Sequence, residues 1–166
     1  MNQRITELYR EYHASLLRML YRRTGDPDQA EDLVQEVFAR ALAAPPENPR
    51  PWLFAVALNL VRDDGRRAVR QGRRLRLLGA ETPSASPPPD HDLEHAERTA
   101  LVREALDVLS PRDREALLLK AEGFDYEEIA IALGLAKGAV GTTLARARRR
   151  LVEAYHAREK EQHEAS

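Results

Sequence analysis

Apolar positions recur along this chain at helical spacing, and caps and prolines separate the recurrences into segments. Ile5, Leu8, Tyr12, Leu16, Met19 and Leu20 fall on one broad face and predict a first helix from Arg4 to Arg23, closed by Gly25. Asp26-Pro27-Asp28-Gln29 supplies a cap, a proline at the first helical position and a polar partner at the third. A second helix then runs to about Ala44. Its stripe of Ala30, Leu33, Val34, Val37, Phe38, Ala41 and Leu42 opposes Glu31, Asp32, Gln35 and Glu36. Acids near a helix start are favoured by the macrodipole, which accounts for Glu31 and Asp32 without any function; Gln35 and Glu36, two turns in, are less well explained that way. Pro45, Pro46, Pro49 and Pro51 break the pattern. A third helix starts near Pro51, with Trp52, Leu53, Val56, Ala57, Leu60 and Val61 as its apolar side. Its second half turns Asn59, Arg62, Asp63, Arg66, Arg67 and Arg70 outward.

The pattern then lapses. Glu81 to Pro89 is proline-rich and poor in apolar residues, which predicts an extended, flexible linker. Helical spacing returns from Asp92 to Leu109, with Leu101, Val102, Ala105, Leu106 and Leu109 as the buried side. Ser110-Pro111-Arg112-Asp113 opens the next helix, which stops near Gly123. Asp125-Tyr126-Glu127-Glu128 restarts the chain with a capping box. Ile129, Ala130 and Leu133 face inward, and Gly134 suits the helix end. After a short turn, Val140, Leu144, Ala147 and Leu151 recur. Beyond Tyr155 the helix is expected to fray into a charged tail.

Two helices joined by a tight glycine-bearing turn form a helix-turn-helix pattern. The helix after the turn carries Lys137, Arg146, Arg148, Arg149 and Arg150, a charge distribution suited to a DNA groove lined by phosphates. A three-helix bundle with merely solvated arginines fits the same spacing. The glycine turn and the lopsided charge favour DNA.

Composition changes this picture in three respects. The 166 residues contain no cysteine, which excludes disulfides and thiolate metal sites. No apolar run is long enough to span a bilayer and the first twenty residues carry charges throughout, so a soluble, unsecreted, cytoplasmic protein is expected. The net charge of −1 announces no nucleic-acid binder, but its distribution does: 62–76 holds seven arginines against two aspartates, and 146–150 holds four arginines. The acids gather at Asp26–Glu36 and Glu122–Glu128. No nucleophile–base pair, phosphate loop or paired-carboxylate pocket is legible, so no enzyme activity and no cofactor are expected. His91 and His95 stand four apart beside Asp92 and Glu94, yet no third strong ligand is near, and a metal site there is disfavoured.

Ala30-Glu31-Asp32-Leu33-Val34-Gln35-Glu36-Val37-Phe38, followed by Trp52 to Asp63 and Arg66-Arg67, resembles the second conserved region of bacterial RNA polymerase sigma factors. Leu109-Ser110-Pro111-Arg112, Tyr126-Glu127-Glu128-Ile129-Ala130 and Leu144-Ala145-Arg146-Ala147-Arg148 resemble the fourth region. The short two-region layout resembles the extracytoplasmic-function (ECF) group. The resemblance implies an all-α protein of two small helical domains: region 2 at 1–72, a flexible proline-rich linker at 73–91, the region 4 helix-turn-helix at 92–156 and a charged tail at 157–166. It implies a factor that binds core RNA polymerase, directs it to promoter DNA and helps melt the minus-ten element, and that is held silent by an anti-sigma partner. A helix-turn-helix regulator that does not load polymerase, and a module that sequesters a partner through the second helix, are the alternatives.

By the same resemblance, Asp32, Gln35 and Glu36 contact the clamp helices of the largest polymerase subunit. Asn59 and Asp63 read the minus-ten strand, Arg62, Arg66, Arg67 and Arg70 hold its phosphates, and Asn48 is a weaker candidate in a base-capturing loop. Lys137, Gly138, Thr142, Thr143, Arg146 and Arg149 face the minus-thirty-five element. The start of this last helix departs from the family pattern. Ala136 lacks a capping oxygen, at a cost of about 1 kcal/mol. Gly141 costs a comparable ~1 kcal/mol against alanine. Gly141 and Thr143 also stand where the family carries a lysine and an arginine. The expectation is weak or unusual DNA reading, with Thr143→Arg tightening it.

Overall fold

The computed structural model describes residues 3–77 and 93–165, with side chains described for 3–64 and 93–165. The proline-rich linker expected at 78–91, His91 with it, lies outside these residues, as do the side chains of Arg66, Arg67 and Arg70. The chain divides into two compact units, Met1–Pro88 and Pro89–Ser166.

The first unit contains α1 (Gln3–Thr24), α2 (Pro27–Ala43) and α3 (Pro49–Leu77). Asp26 caps α2: its carboxylate accepts from the backbone N–H groups of Asp28 and Gln29, and Pro27 needs no such partner. The inner face of α2 is saturated. Ala30, Leu33, Val34, Val37, Phe38 and Ala41 are all buried, against Leu16, Met19 and Leu20 of α1 and Leu53, Phe54, Ala57 and Leu58 of α3. The buried side of α3 is rotated from the expected one. Phe54 and Leu58 are in the core, while Trp52 and Val56 are only half-buried. Leu42, expected in the apolar stripe, is 52% exposed. Residues 73–77, read as linker, continue α3, since no proline or cap interrupts the helix before them.

The second unit contains α4 (Leu93–Val108), α5 (Pro111–Ala121), α6 (Tyr126–Leu133) and α7 (Lys137–Ala165). Ser110 caps α5 by accepting from the Asp113 N–H, and Asp125 and Glu128 close a reciprocal capping box on α6. Arg114 bridges α4 and α5 from inside, its Nη1 donating to the carbonyls of Leu106 and Leu109 at 3.4 Å, where a helix end lacks partners. Phe124, in the turn between α5 and α6, is fully buried with Leu119, Ile129 and Leu144. Val102 is 40% exposed rather than part of the core. The expected frayed tail is helix: α7 continues to Ala165 through a run free of glycine and proline, with an Arg158–Glu161 pair at 3.7 Å.

Two glycines of the helix-turn-helix differ in what they require. Gly134 ends α6 at φ 67°, the left-handed region that a side chain occupies at a cost of roughly 1–2 kcal/mol. Gly141 lies inside α7, and a Cβ added there meets only the Tyr126 ring edge at 3.4 Å, an ordinary contact. Gly134→Ala is therefore expected to destabilise the protein by about 1–2 kcal/mol. Gly141→Ala is expected to stabilise it by up to about 1 kcal/mol. Urea unfolding monitored by circular dichroism measures both signs.

Candidate functional site

On the first unit the candidate surface is the outer side of α2. Asp32, Gln35 and Glu36 are exposed there, one helix width from the buried stripe. The carboxylate of Glu31 organises the neighbourhood. Its Oε1 accepts from His13 Nε2 on α1 at 3.2 Å and from Gln35 Nε2 at 3.2 Å. A carboxylate only accepts, so one N–H of the Gln35 amide is spent on Glu31, and the second N–H and the carbonyl remain for other partners. The hydrogen bond from His13, then that from Gln35, hold the Glu31 carboxyl below the usual carboxylate range. Glu36 accepts from Arg40 Nε at 3.1 Å, one turn on.

Two grooves flank this face. One, between α1 and α2, is apolar and is lined by Ile5, Tyr9, Gln35, Phe38, Ala39 and Leu42 among others. The other, between α2 and α3, is lined by Asp32, Leu33, Glu36, Arg40, Leu60, Asp63 and Asp64. Asp63, expected among the basic residues of α3, thus stands beside the acids of α2. Asn59 is exposed and Arg62 half-buried on the same helix, and by helical register they share a stripe with positions 66 and 70. Asn48 is exposed in the loop before α3.

On the second unit the candidate surface is α7. Lys137, Gly138, Thr142 and Arg149 are exposed. Thr143 is a correction: it is 5% exposed, and its hydroxyl donates to the Ala139 carbonyl at 2.8 Å. It falls on the stripe of Val140, Leu144 and Ala147, where the 3.6-residue repeat turns it inward, so Thr143→Arg tests packing rather than DNA reading. Arg146 is also committed. Its Nη2 donates to Asp113 Oδ1 at 2.7 Å and its Nε to Oδ2 at 3.2 Å, a side-on fork across 33 residues of sequence. Arg150 Nη1 donates to the same Oδ2 at 3.4 Å.

Asp113, read from sequence only as a first-turn acid, is fully buried. The hydrogen bond from Arg146 drives its carboxyl below the ordinary value of 3.8, with both guanidinium charges adding to the effect against the cost of burial. Its partners lie in a distant helix, a pairing that no local spacing announces. Among the described residues no group of three or more His, Asp or Glu side chains is placed to hold a metal. No single helix among them is long and apolar enough to cross a membrane.

Family models fit both surfaces. One described as Sigma-70 region 2 matches residues 8–71, and one described as Sigma-70, region 4 matches 99–151. The class these two regions define is the RNA polymerase sigma factor, a transcription initiation factor. The chain is 39% identical over 134 residues to the ECF RNA polymerase sigma factor EcfG of Rhodopseudomonas palustris, covering 77% of this chain and 72% of the relative. It is 36% identical over 147 residues to the ECF sigma factor SigL of Mycobacterium tuberculosis, covering 82% and 80%. Among solved structures it is similar to the sigma factor RpoE in complex with the anti-sigma factor NepR from Bartonella quintana, with TM-score 0.62 and 28% identity over 89% of this chain and 96% of that one. It is also similar to CnrH in complex with the cytosolic domain of CnrY, with TM-score 0.66 and 27% identity over 94% and 90%. The chain belongs to the ECF family of RNA polymerase sigma factors.

The Asp113 cluster has a calculable pH signature. A carboxyl whose folded-state pKa is depressed contributes stability that is present above its unfolded value and lost as pH falls toward the folded one. Asp113→Asn is expected to lower stability near neutrality by about 1.5–3 kcal/mol, the range for hydrogen bonds to charged groups. The gap between variant and wild type should close as pH falls below 3.8. Unfolding midpoints measured from pH 7 to pH 2 check both statements.

Proposed function

We propose that this sigma factor grips core polymerase through the outer face of α2 and touches promoter DNA with the other elements, α3 at the minus-ten element and α7 at the minus-thirty-five element. The observation that carries the reading is the separation of duties on α2. Its inner face is wholly buried, so the exposed Asp32, Gln35 and Glu36 have no part in the core. What they present is mostly acceptors: two carboxylates and the Gln35 amide, whose carbonyl and second N–H are not engaged by Glu31. A basic helical partner supplies the matching donors, and such a match governs encounter and register. The clamp helices of the largest polymerase subunit are the partner that the family resemblance assigns. In this reading Asp63 belongs with the acidic groove at least as much as with strand reading, because it lines that groove with Asp32 and Glu36.

At the minus-ten element, phosphate neutralisation falls to Arg62, Arg66, Arg67 and Arg70 and base reading to Asn59, since a melted strand needs both. At the minus-thirty-five element, Lys137, Gly138, Thr142 and Arg149 are exposed on α7 and take the duplex. The protein works in the cytoplasm with polymerase. An anti-sigma partner masks these faces when the factor is silent; the similar sigma factor RpoE was solved in complex with the anti-sigma factor NepR, which supports that arrangement. The factor catalyses nothing itself.

Reversing Asp32 and Glu36 together to arginine is expected to weaken binding to core polymerase by about tenfold or more and to abolish promoter-dependent run-off transcription. The unfolding midpoint should stay within error. Retained association after this double reversal would refute the reading. Thr142→Arg places a cation on the exposed side of α7, and should tighten holoenzyme binding to promoter duplex and steepen its salt dependence by about one unit of slope. Filter binding across a salt series reads both.

A further inference from the structure

We propose that Asp113 is a positioning residue for promoter discrimination: it fixes the guanidinium groups of Arg146 and Arg150 on α7, so that preference for the right sequence, rather than attraction to DNA as such, depends on it. The inference rests on the reading of α7 as the duplex-contacting helix and adds a residue of α5 that does not itself touch DNA.

The geometry is that of a bracket. Asp113 is fully buried, whereas the side chains of Arg146 and Arg150 are 36% and 52% exposed. Each arginine therefore spans from the core to the surface, with its inner edge on the carboxylate. Arg146 spends Nε and Nη2 on the two carboxylate oxygens, which leaves Nη1 on the far edge of a planar group. A bidentate fork fixes both the position and the plane of that group, which a single hydrogen bond does not. Arg150 shares Oδ2, so one carboxylate sets two cations a helical turn apart. The same contacts tie the first turn of α5 to the middle of α7. Asp113 thereby fixes the pose of α7 against the helix pair that precedes it, as well as the side chains on it.

Charge and orientation separate here. Two guanidiniums against one carboxylate leave one net positive charge. Removing the carboxylate charge makes this part of α7 more cationic, and so favours phosphate attraction, which is independent of sequence. The same change frees the arginines to sample other rotamers and loosens the helix pose. Sequence discrimination requires side chains in fixed register with base edges, so it suffers. Specific and non-specific binding thus move in different directions. A role confined to holding the fold would lower both together.

The test uses holoenzyme assembled from core polymerase and the full chain. Wild-type holoenzyme first enriches duplexes from a library randomised upstream of the start site. Dissociation constants are then measured on an enriched duplex and on one with the upstream segment scrambled, for wild type, Asp113→Asn and Arg146→Lys. Arg146→Lys keeps the charge and cannot form the fork, so it remains informative if the Asp113 variant folds poorly. The expected result is a fall of about tenfold or more in the ratio of specific to non-specific affinity for both variants, comparable to losing one well-read base pair. Binding of the scrambled duplex should be unchanged or tighter for Asp113→Asn, and should fall less than binding of the enriched duplex for Arg146→Lys. An unchanged ratio in Arg146→Lys, or a parallel loss on both duplexes, overturns the proposal while leaving the sigma-factor reading intact. Failure of wild-type holoenzyme to enrich any upstream sequence overturns the reading of α7, and the proposal with it.

Discussion

A carboxylate without solvent exposure needs partners that satisfy both its charge and its lone pairs, and Asp113 finds its cationic partners on α7, with the Ser110 side chain adding a hydrogen bond from the start of α5. The second unit is built around meeting that demand. Asp113 cannot leave the core without unseating the first turn of α5, which Ser110 caps. Arg146 and Arg150 cannot turn freely toward solvent without stranding a buried charge. Arg114, one residue along, adds a second buried anchor by holding the end of α4 through two carbonyls. A small core of mostly Leu and Ala side chains is non-directional, and would by itself tolerate several helix poses. The directional contacts at 113 and 114 select one of them.

The first unit meets a related problem with less burial. Its helices α1 and α2 are joined across their outer edge by His13 and Glu31, and Glu31 in turn orients Gln35. These groups are partly exposed, so the contact contributes little to stability. Its effect is geometric: it ties one N–H of the Gln35 amide and so restricts how that side chain turns. In both units a carboxylate one step removed from the candidate surface sets the direction of a side chain on it. The core supplies affinity between helices, and polar pairs at its margin decide how the surface is displayed.

Much of this was legible in the sequence, because helix boundaries and buried stripes are written in spacing and caps. The caps at Asp26, Ser110 and Asp125 are local, and their residues determine them. The same spacing rule places Thr143 on the stripe of Val140, Leu144 and Ala147. The family resemblance marks the same position as a DNA contact, but register on the helix turns it inward. The partners of Asp113 could not be read, because a pairing across 33 residues depends on how α5 and α7 pack, and no periodicity encodes it. The persistence of α7 past Tyr155 is hidden from composition for a different reason. A charged, apolar-poor run resembles a tail in composition, yet residues of high helix propensity continue a helix that is already nucleated, since each added residue avoids the cost of initiation.

The departures at the start of α7 take on another meaning in this setting. Read along the sequence, Gly141 is a missing lysine and a weak helix former. In the fold it lies against Tyr126 of α6, whose ring also sits beneath the Lys120 ammonium at 5.7 Å. A cation of α5, an aromatic ring of α6 and a glycine of α7 therefore meet at one place, and a long side chain at 141 has the ring edge as its immediate neighbour. The cationic charge of α7 is concentrated instead one to three turns further on, where Arg146 and Arg150 are braced and Arg148 and Arg149 are exposed. Small residues at Gly138, Gly141, Thr142 and Ala145 leave the first turns low in profile, so that the backbone there can approach a surface more closely than a run of lysines and arginines would permit. Lys137 apart, charge comes late and bulk is absent early; in the proposed reading these are one arrangement, in which the later turns supply attraction and the first turns set how near the helix can come.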